Sequence, residues 1–255
     1  PKYRKILRKK RKSFRIMYMD NQYSGSLKQW IFRFIGPIFV RIHYDVAFVA
    51  GDRQRSYAKK IGFNEERIYT GGVAYDSIHF VSKSRRKTQD YFIFVGRLSM
   101  EKGVTNLLKS YAEYRNSVGN PKKLFIVGPP QNITRFEHEG VKWIEYLNSE
   151  QLPELLQNAS AFILPSKFEP WGVVLIEAAA CGAPLIATTH VGAADHVISG
   201  INGYVYKDDN TRDLAEKMKS MHYWSESQIL SASKLSEKKS TYFNVENWAL
   251  RFLNI

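Results

Sequence analysis

Residues 161–182 read AFILPSKFEPWGVVLIEAAACG. Four apolar residues end at Pro165, a short polar loop carries Glu169, and a run with helical spacing closes at Gly182. Strand, loop and helix in that order are one unit of an α/β fold. The stretch holds two carboxylates, Glu169 and Glu177, with seven residues between them. If Pro170 occupies the first helical turn, where its missing N–H costs nothing, Glu169 stands beside the helix N-terminus and Glu177 two turns along. At 1.5 Å per residue their backbones lie about 12 Å apart, far enough to hold hydroxyls at the two ends of one ligand. The plain alternative is a capping glutamate followed by a surface glutamate. Against it, Val173, Val174, Ile176 and Ala178–Ala180 make most of the helix apolar, so a charge at Glu177 needs a polar partner.

Outward from this stretch the pattern is regular from Tyr91 onward. YFIFVG (91–96), LFIVG (124–128), VKWIEYL (141–147), AFIL, PLIAT (184–188) and GYVY (203–206) read as strands. Helices are expected through Tyr111–Tyr114, over 149–157, through Glu177, from Thr211 to about Met221 and around Glu226–Glu237. Six strands alternating with helices predict a doubly wound, Rossmann-like domain. The loop after its first strand, Gly96-Arg97-Leu98-Ser99-Met100-Glu101-Lys102-Gly103, precedes a helix. Its glycines permit close backbone approach, and helix N–H groups, the fork of Arg97 and the point charge of Lys102 can converge on an anion. Taken alone, a surface Arg and Lys would be solvated side chains.

The chain has 255 residues, 44% of them apolar, which suits a globular protein with a sizeable core. Its single cysteine, Cys181, sits in the apolar helix and reads as a small core residue. No apolar run approaches the roughly 18 residues of a membrane span. His190 and His196 have no Cys or carboxylate at ligand spacing and no Asp-x-Asp occurs, so no metal and no cofactor is expected.

The net charge of +14 is unevenly spread: residues 1–90 hold 21 Lys and Arg against 7 Asp and Glu, and residues 91–255 hold 17 of each. Eight of the first twelve residues are basic. The start without Met, with a strand beginning near Arg15, leads us to expect sequence upstream. Such a run attracts polyanions. Nucleic acid is disfavoured because few aromatics lie among the cations and no known module is present. An anionic membrane surface fits better, since Trp30–Val40 (WIFRFIGPIFV) is an amphipathic stretch beside the cations. A buried helix kinked at Pro37 fits the same stretch. RIMYMD (15–20), DVAFVAG (45–51) and RIYTGG (67–72), separated by helices over Ser26–His43 and Asp52–Ile61, predict a βαβαβ unit with a parallel sheet. Its carboxyl edge would carry Asp20, Asn21, Gly51 and Gly71–Gly72.

FEPWGVVLIEAAACGAPLIAT, with the preceding Pro-Ser and the following Gly-x-Pro, resembles the Glu-x7-Glu segment of the retaining nucleotide-sugar glycosyltransferases of family 4. These have the two-domain GT-B fold. The Gly-Arg loop ending in Lys102-Gly103 and the segment from DVAFVAG to RIYTGGVAYDSIHF resemble the same family. The resemblance implies a complete donor domain over 86–240 and part of an acceptor-side domain over 1–85. Residues 241–255 would be a C-terminal helix returning to the N-terminal domain, although an ordinary docked helix explains its aromatic spacing equally well. It implies transfer of a hexose from a nucleoside-diphosphate sugar to a glycan or lipid-linked acceptor with retention of configuration. By that analogy Arg97 and Lys102 grip the diphosphate, Glu169 orients the donor sugar and Glu177 the ribose. Gly96 belongs to the same loop, and Gly128, Tyr146 and Leu147 stand where the family's loops meet the base; ordinary strand-end residues explain them almost as well. Ser166 would bond a phosphate or cap a turn. Two departures stand out: the family's early Gly-rich loop is absent, and Asp20-Asn21 stands where many members carry a His. A cytoplasmic protein, at the inner face of the plasma membrane, is expected. The competing readings are a sugar-nucleotide-binding subunit needing a partner, and a polyanion-binding α/β protein.

Overall fold

The computed structural model describes residues 13–82, 90–133, 135, 138–148, 150–207 and 209–255. The basic run over residues 1–12, and Ser149 at the expected start of a helix, lie outside the described residues. The chain divides into two compact units, one of residues up to Ala74 with Trp248–Ile255, the other Tyr75–Asn247.

The first unit is a three-stranded parallel sheet in the order β1 (Ile16–Met19), β2 (Val46–Val49), β3 (Ile68–Thr70). β2 lies between the other two and is buried along its whole length, which is why it reads VAFV without alternation. Helix α1 (Leu27–His43) crosses from β1 to β2, and α2 (Asp52–Lys60) from β2 to β3. The Ser26 hydroxyl caps α1 by accepting from the Gln29 N–H. Met19, Val40, Ala47, Val49, Ala58, Ile61, Phe63 and Ile68 form the core. Of the last helix, α9 (Val245–Leu253), Trp248 and Phe252 stack on each other and against Phe48. The Trp248 Nε1–H donates to the Gly72 carbonyl at 2.8 Å.

The reading of Trp30–Val40 as a buried kinked helix is corrected. Only Gly36, Val40 and His43 of α1 are buried. Leu27, Trp30, Ile31, Phe34, Ile35, Ile38 and Ile42 are exposed, and their spacing of three and four puts them on one face. No helix among the described residues is long and apolar enough to cross a membrane.

The second unit carries six parallel strands: β4 (Tyr91–Val95), β5 (Lys123–Val127), β6 (Val141–Ile144), β7 (Ala161–Leu164), β8 (Leu185–Thr188) and β9 (Gly203–Tyr206). Their order is β6-β5-β4-β7-β8-β9, the doubly wound order with its reversal between β4 and β7. β7 and β8 are buried at every residue and β4 at all but its last, whereas the edge strands β6 and β9 are partly exposed. The helices are α3 (Val104–Ser117), α4 (Gln151–Asn158), α5 (Val173–Ala180), a single turn α6 (Ala194–Val197), α7 (Thr211–His222) and α8 (Glu226–Ser240). Strict alternation fails between β5 and β6, where the described residues form no helix. The buried Cys181 follows α5 as a core residue.

Phe162, the middle of β7, is fully buried and in register with Ile93 on one side and Leu185 on the other. Phe162→Ala is expected to cost the second unit about 3–5 kcal/mol in urea unfolding, whereas Val205→Thr on the exposed edge strand should cost about 0.5 kcal/mol or less.

Candidate functional site

At the reversal point, the loops leaving β4 and β7 run side by side at the carboxyl edge of the sheet. The loop after β4 is anchored by Leu98, which is fully buried, donates to the Pro129 carbonyl and accepts from the N–H of Gln131. It ends at Gly103, the N-cap of α3, with a left-handed φ of 71°. A Cβ at Gly103 would lie 1.8 Å from the Pro165 carbonyl oxygen, so only glycine lets the two loops meet. Lys167 N–H donates to the Glu101 carbonyl at 2.8 Å and completes the contact.

From the other side the loop after β8 supports the same segment. Gly192 N–H donates to the Glu169 carbonyl at 3.1 Å and Ala193 N–H to the Trp171 carbonyl at 2.8 Å. The Thr188 hydroxyl, fully buried, donates to the Ser166 carbonyl at 2.6 Å and accepts from His190 N–H at 3.3 Å.

This frame brings three of the expected residues together. The Lys102 ammonium forms an ion pair with the Glu169 carboxylate, and the Ser166 hydroxyl donates to the same oxygen at 3.5 Å. The side chains of Lys102 and Glu169 are only 20% and 14% exposed, so neither is a freely solvated charge. Arg97 stands five residues before Lys102 in the same loop, exposed and unpaired among the described residues.

Glu169 is not beside the helix N-terminus. Gly172, with a left-handed φ of 94°, is the N-cap, and α5 starts only at Val173, leaving Pro170 and Trp171 in the loop. Glu177 is therefore the fifth residue of a short helix and lies about one turn in. Burial, and then the charge of Asp76, push its carboxyl up to about 7. The Cys181 thiol is pushed up to about 12, chiefly by burial, which leaves it unreactive.

The remaining expected residues are more scattered. Gly96 and Gly128 end β4 and β5 with backbones so close that a Cβ at Gly128 would lie 1.9 Å from the Gly96 carbonyl oxygen. Tyr146 is 79% exposed, and Leu147 follows it in the loop after β6. Asp20 and Asn21 belong to the first unit, at the carboxyl end of β1, where the Asp20 carbonyl accepts from Gln54 Nε2 at 3.0 Å. No group of three or more His, Cys, Asp or Glu among the described residues is placed to hold a metal ion. Thr188, Gly192 and Asp76 were missed in the sequence. Thr188 ends a strand at the carboxyl edge, and that position was its available signal.

The family model described as Glycosyl transferases group 1 matches residues 76–231. Glycogen synthase of Mycobacterium tuberculosis is 28% identical over 167 residues, covering 63% of this chain and 40% of that protein. The capsular polysaccharide biosynthesis glycosyltransferase CapM of Staphylococcus aureus is 26% identical over 160 residues, covering 57% of this chain and 40% of that protein. The chain thus spans less than half the length of these relatives. Among solved structures, HepE of Anabaena in complex with UDP superposes with a TM-score of 0.76 at 15% identity, over 94% of this chain and 71% of that one. This likeness is one of fold, the α/β arrangement with parallel sheets of the GT-B type.

Two expectations follow from the geometry. Thr188→Val keeps the shape but leaves the buried Ser166 carbonyl without its hydroxyl donor, so urea unfolding should show a loss of about 1–3 kcal/mol, with Thr188→Ser close to the parent. For Glu177 the folded state keeps its proton up to about pH 7, while the unfolded chain releases it near 4.5. The contribution of Glu177 to stability is therefore most favourable below pH 4.5, falls as pH rises to about 7 and is level above it. Glu177→Gln should remove that slope and raise the unfolding temperature at pH 8 by roughly 2–4 °C in differential scanning calorimetry.

Proposed function

The chain belongs to the group 1 glycosyl transferases, and from that premise we propose that it is the donor-binding part of a family 4 enzyme. That enzyme transfers a hexose from a nucleoside-diphosphate sugar to a glycan or lipid-linked acceptor with retention of configuration. The observation that carries this reading is the pairing of Lys102 with Glu169, which sets a phosphate-binding cation and a hydroxyl-binding carboxylate at one point beside the start of α3.

In this reading the donor diphosphate lies over the loop Gly96–Gly103. Arg97 supplies a two-pronged hydrogen bond, Lys102 a point charge, and the N-terminus of α3 a partial positive charge. These groups stabilise the negative charge that grows on the leaving diphosphate as the sugar–oxygen bond breaks, which is where electrostatic preorganisation lowers a barrier. Glu169, released from Lys102, accepts hydroxyls of the hexose and fixes its orientation. The Ser166 hydroxyl turns from Glu169 to a phosphate oxygen. Glu177 accepts ribose hydroxyls, which give its buried carboxylate the polar partner it lacks. The backbone around Gly128, Tyr146 and Leu147 meets the base. Asp20 and Asn21 stand on the acceptor side, and no metal takes part. The presence of UDP in the HepE complex supports a uridine nucleotide as the first donor to test.

Contact with an anionic membrane surface is supported by α1, whose exposed apolar face is bordered by the exposed Lys28 and Arg41 and which contains no acidic residue.

Calorimetric titration with UDP, GDP and ADP at pH 8 tests the donor site. One diphosphate should bind, and Arg97→Ala and Glu177→Ala should each weaken it roughly 10- to 100-fold. Absence of binding by all three in a folded chain would remove the donor-site assignment.

A further inference from the structure

A cavity of about 290 Å³ opens on the second unit between the start of β9 and the first turns of α8. Gly200 precedes β9, so the cavity lies at the amino edge of the sheet, opposite the edge that carries Lys102 and Glu169. Its size is at the small end of ligand pockets, which run on the order of 300–1,000 Å³.

The lining has a definite chemistry. Tyr204 and Trp224 contribute aromatic surface, with ring centroids 5.8 Å apart and planes tilted by 56°. The Lys217 ammonium sits over the Tyr204 ring at 5.2 Å and steadies it. The Trp224 indole N–H has no partner among the described residues. Gln228 is held by the capping box of α8, its Oε1 accepting from the Ser225 N–H at 2.9 Å and from the Ser225 hydroxyl at 3.0 Å. That orientation is imposed by the helix cap and leaves the Gln228 amide NH₂ as a prepositioned donor. Ser227 and Ser231 add hydroxyls.

None of the lining residues is ionisable apart from the Tyr204 phenol. A phosphate or nucleotide would find no charge in the lining itself, and the one cation beside it, Lys217, is paired with Asp213 at 3.6 Å; a hydrocarbon would leave the amide and hydroxyls unpaired. What fits both halves is a neutral molecule with an apolar ring face and a rim of hydroxyls. We propose that this cavity is a carbohydrate-binding site, in which a neutral pyranose of an oligosaccharide stacks on Trp224 and takes hydrogen bonds from Gln228 and the serines. The site is separate from the donor site and holds whether or not the chain transfers sugar.

The indole N–H resonances of the five tryptophans report on it directly. The ¹⁵N-labelled chain is titrated with maltotriose, cellotriose and triacetylchitotriose at millimolar concentration, with and without excess UDP. The expected result is a saturable shift of the Trp224 indole with at least one trisaccharide, unchanged by UDP. The shift should be lost in Ser231→Phe, which fills the cavity from an exposed helix position, and the other four indoles should stay in place there. A Trp224 signal unmoved by all three sugars overturns the proposal, as does a shift that persists in Ser231→Phe. A Trp224 signal that moves with protein concentration in the absence of sugar assigns the cavity to a second copy of the chain and also overturns it.

Discussion

The candidate site depends on how closely two backbones approach each other. At Gly103 the loop from β4 turns into α3 against the carbonyl of Pro165, at a separation that excludes any side chain. Because strands β4 and β7 are neighbours at the reversal of the sheet, their loops leave from adjacent points and are driven against one another. Sheet order supplies the proximity, glycine permits the contact, and the contact places the Lys102 ammonium on Glu169. A larger residue at position 103 would separate the loops and with them the two charges.

The second support is the loop after β8. It lies along the other flank of the Glu169 segment through the amides of Gly192 and Ala193 and the hydroxyl of Thr188. Glu169 thus sits in a segment clamped from both sides, largely by main-chain groups, with the Thr188 hydroxyl as the side-chain member. The fixed position of this carboxylate is a property of three loops, none of which holds it alone.

Much of this was legible in the sequence. The continuous apolar runs of β4, β7 and β8 announced buried parallel strands, and the doubly wound order follows from their alternation with helices. The polar loops after β4 and β7 marked themselves by glycines and charges next to apolar strands. What local pattern could not supply was contact across distance. Nothing near Lys102 indicates that its partner is Glu169, 67 residues on. The start of α5 was misplaced because Pro170 is a good first helical residue, yet the left-handed turn at Gly172 overrode it. The apolar face of α1 was ambiguous for a similar reason: spacing identifies an amphipathic helix but does not say which side meets the sheet.

If the site takes a donor as proposed, the ion pair between Lys102 and Glu169 would also make it selective among anions. A free phosphate that drew Lys102 to itself would leave the Glu169 carboxylate partly buried with one fewer partner, and that desolvation cost opposes the exchange. Only a molecule that offers an anionic oxygen to the lysine and a hydroxyl to the glutamate in the same event compensates both halves. On the proposed reading the resting pair would therefore work as a test for two chemical groups joined in one ligand, and would discriminate against the abundant small anions that carry only one of them.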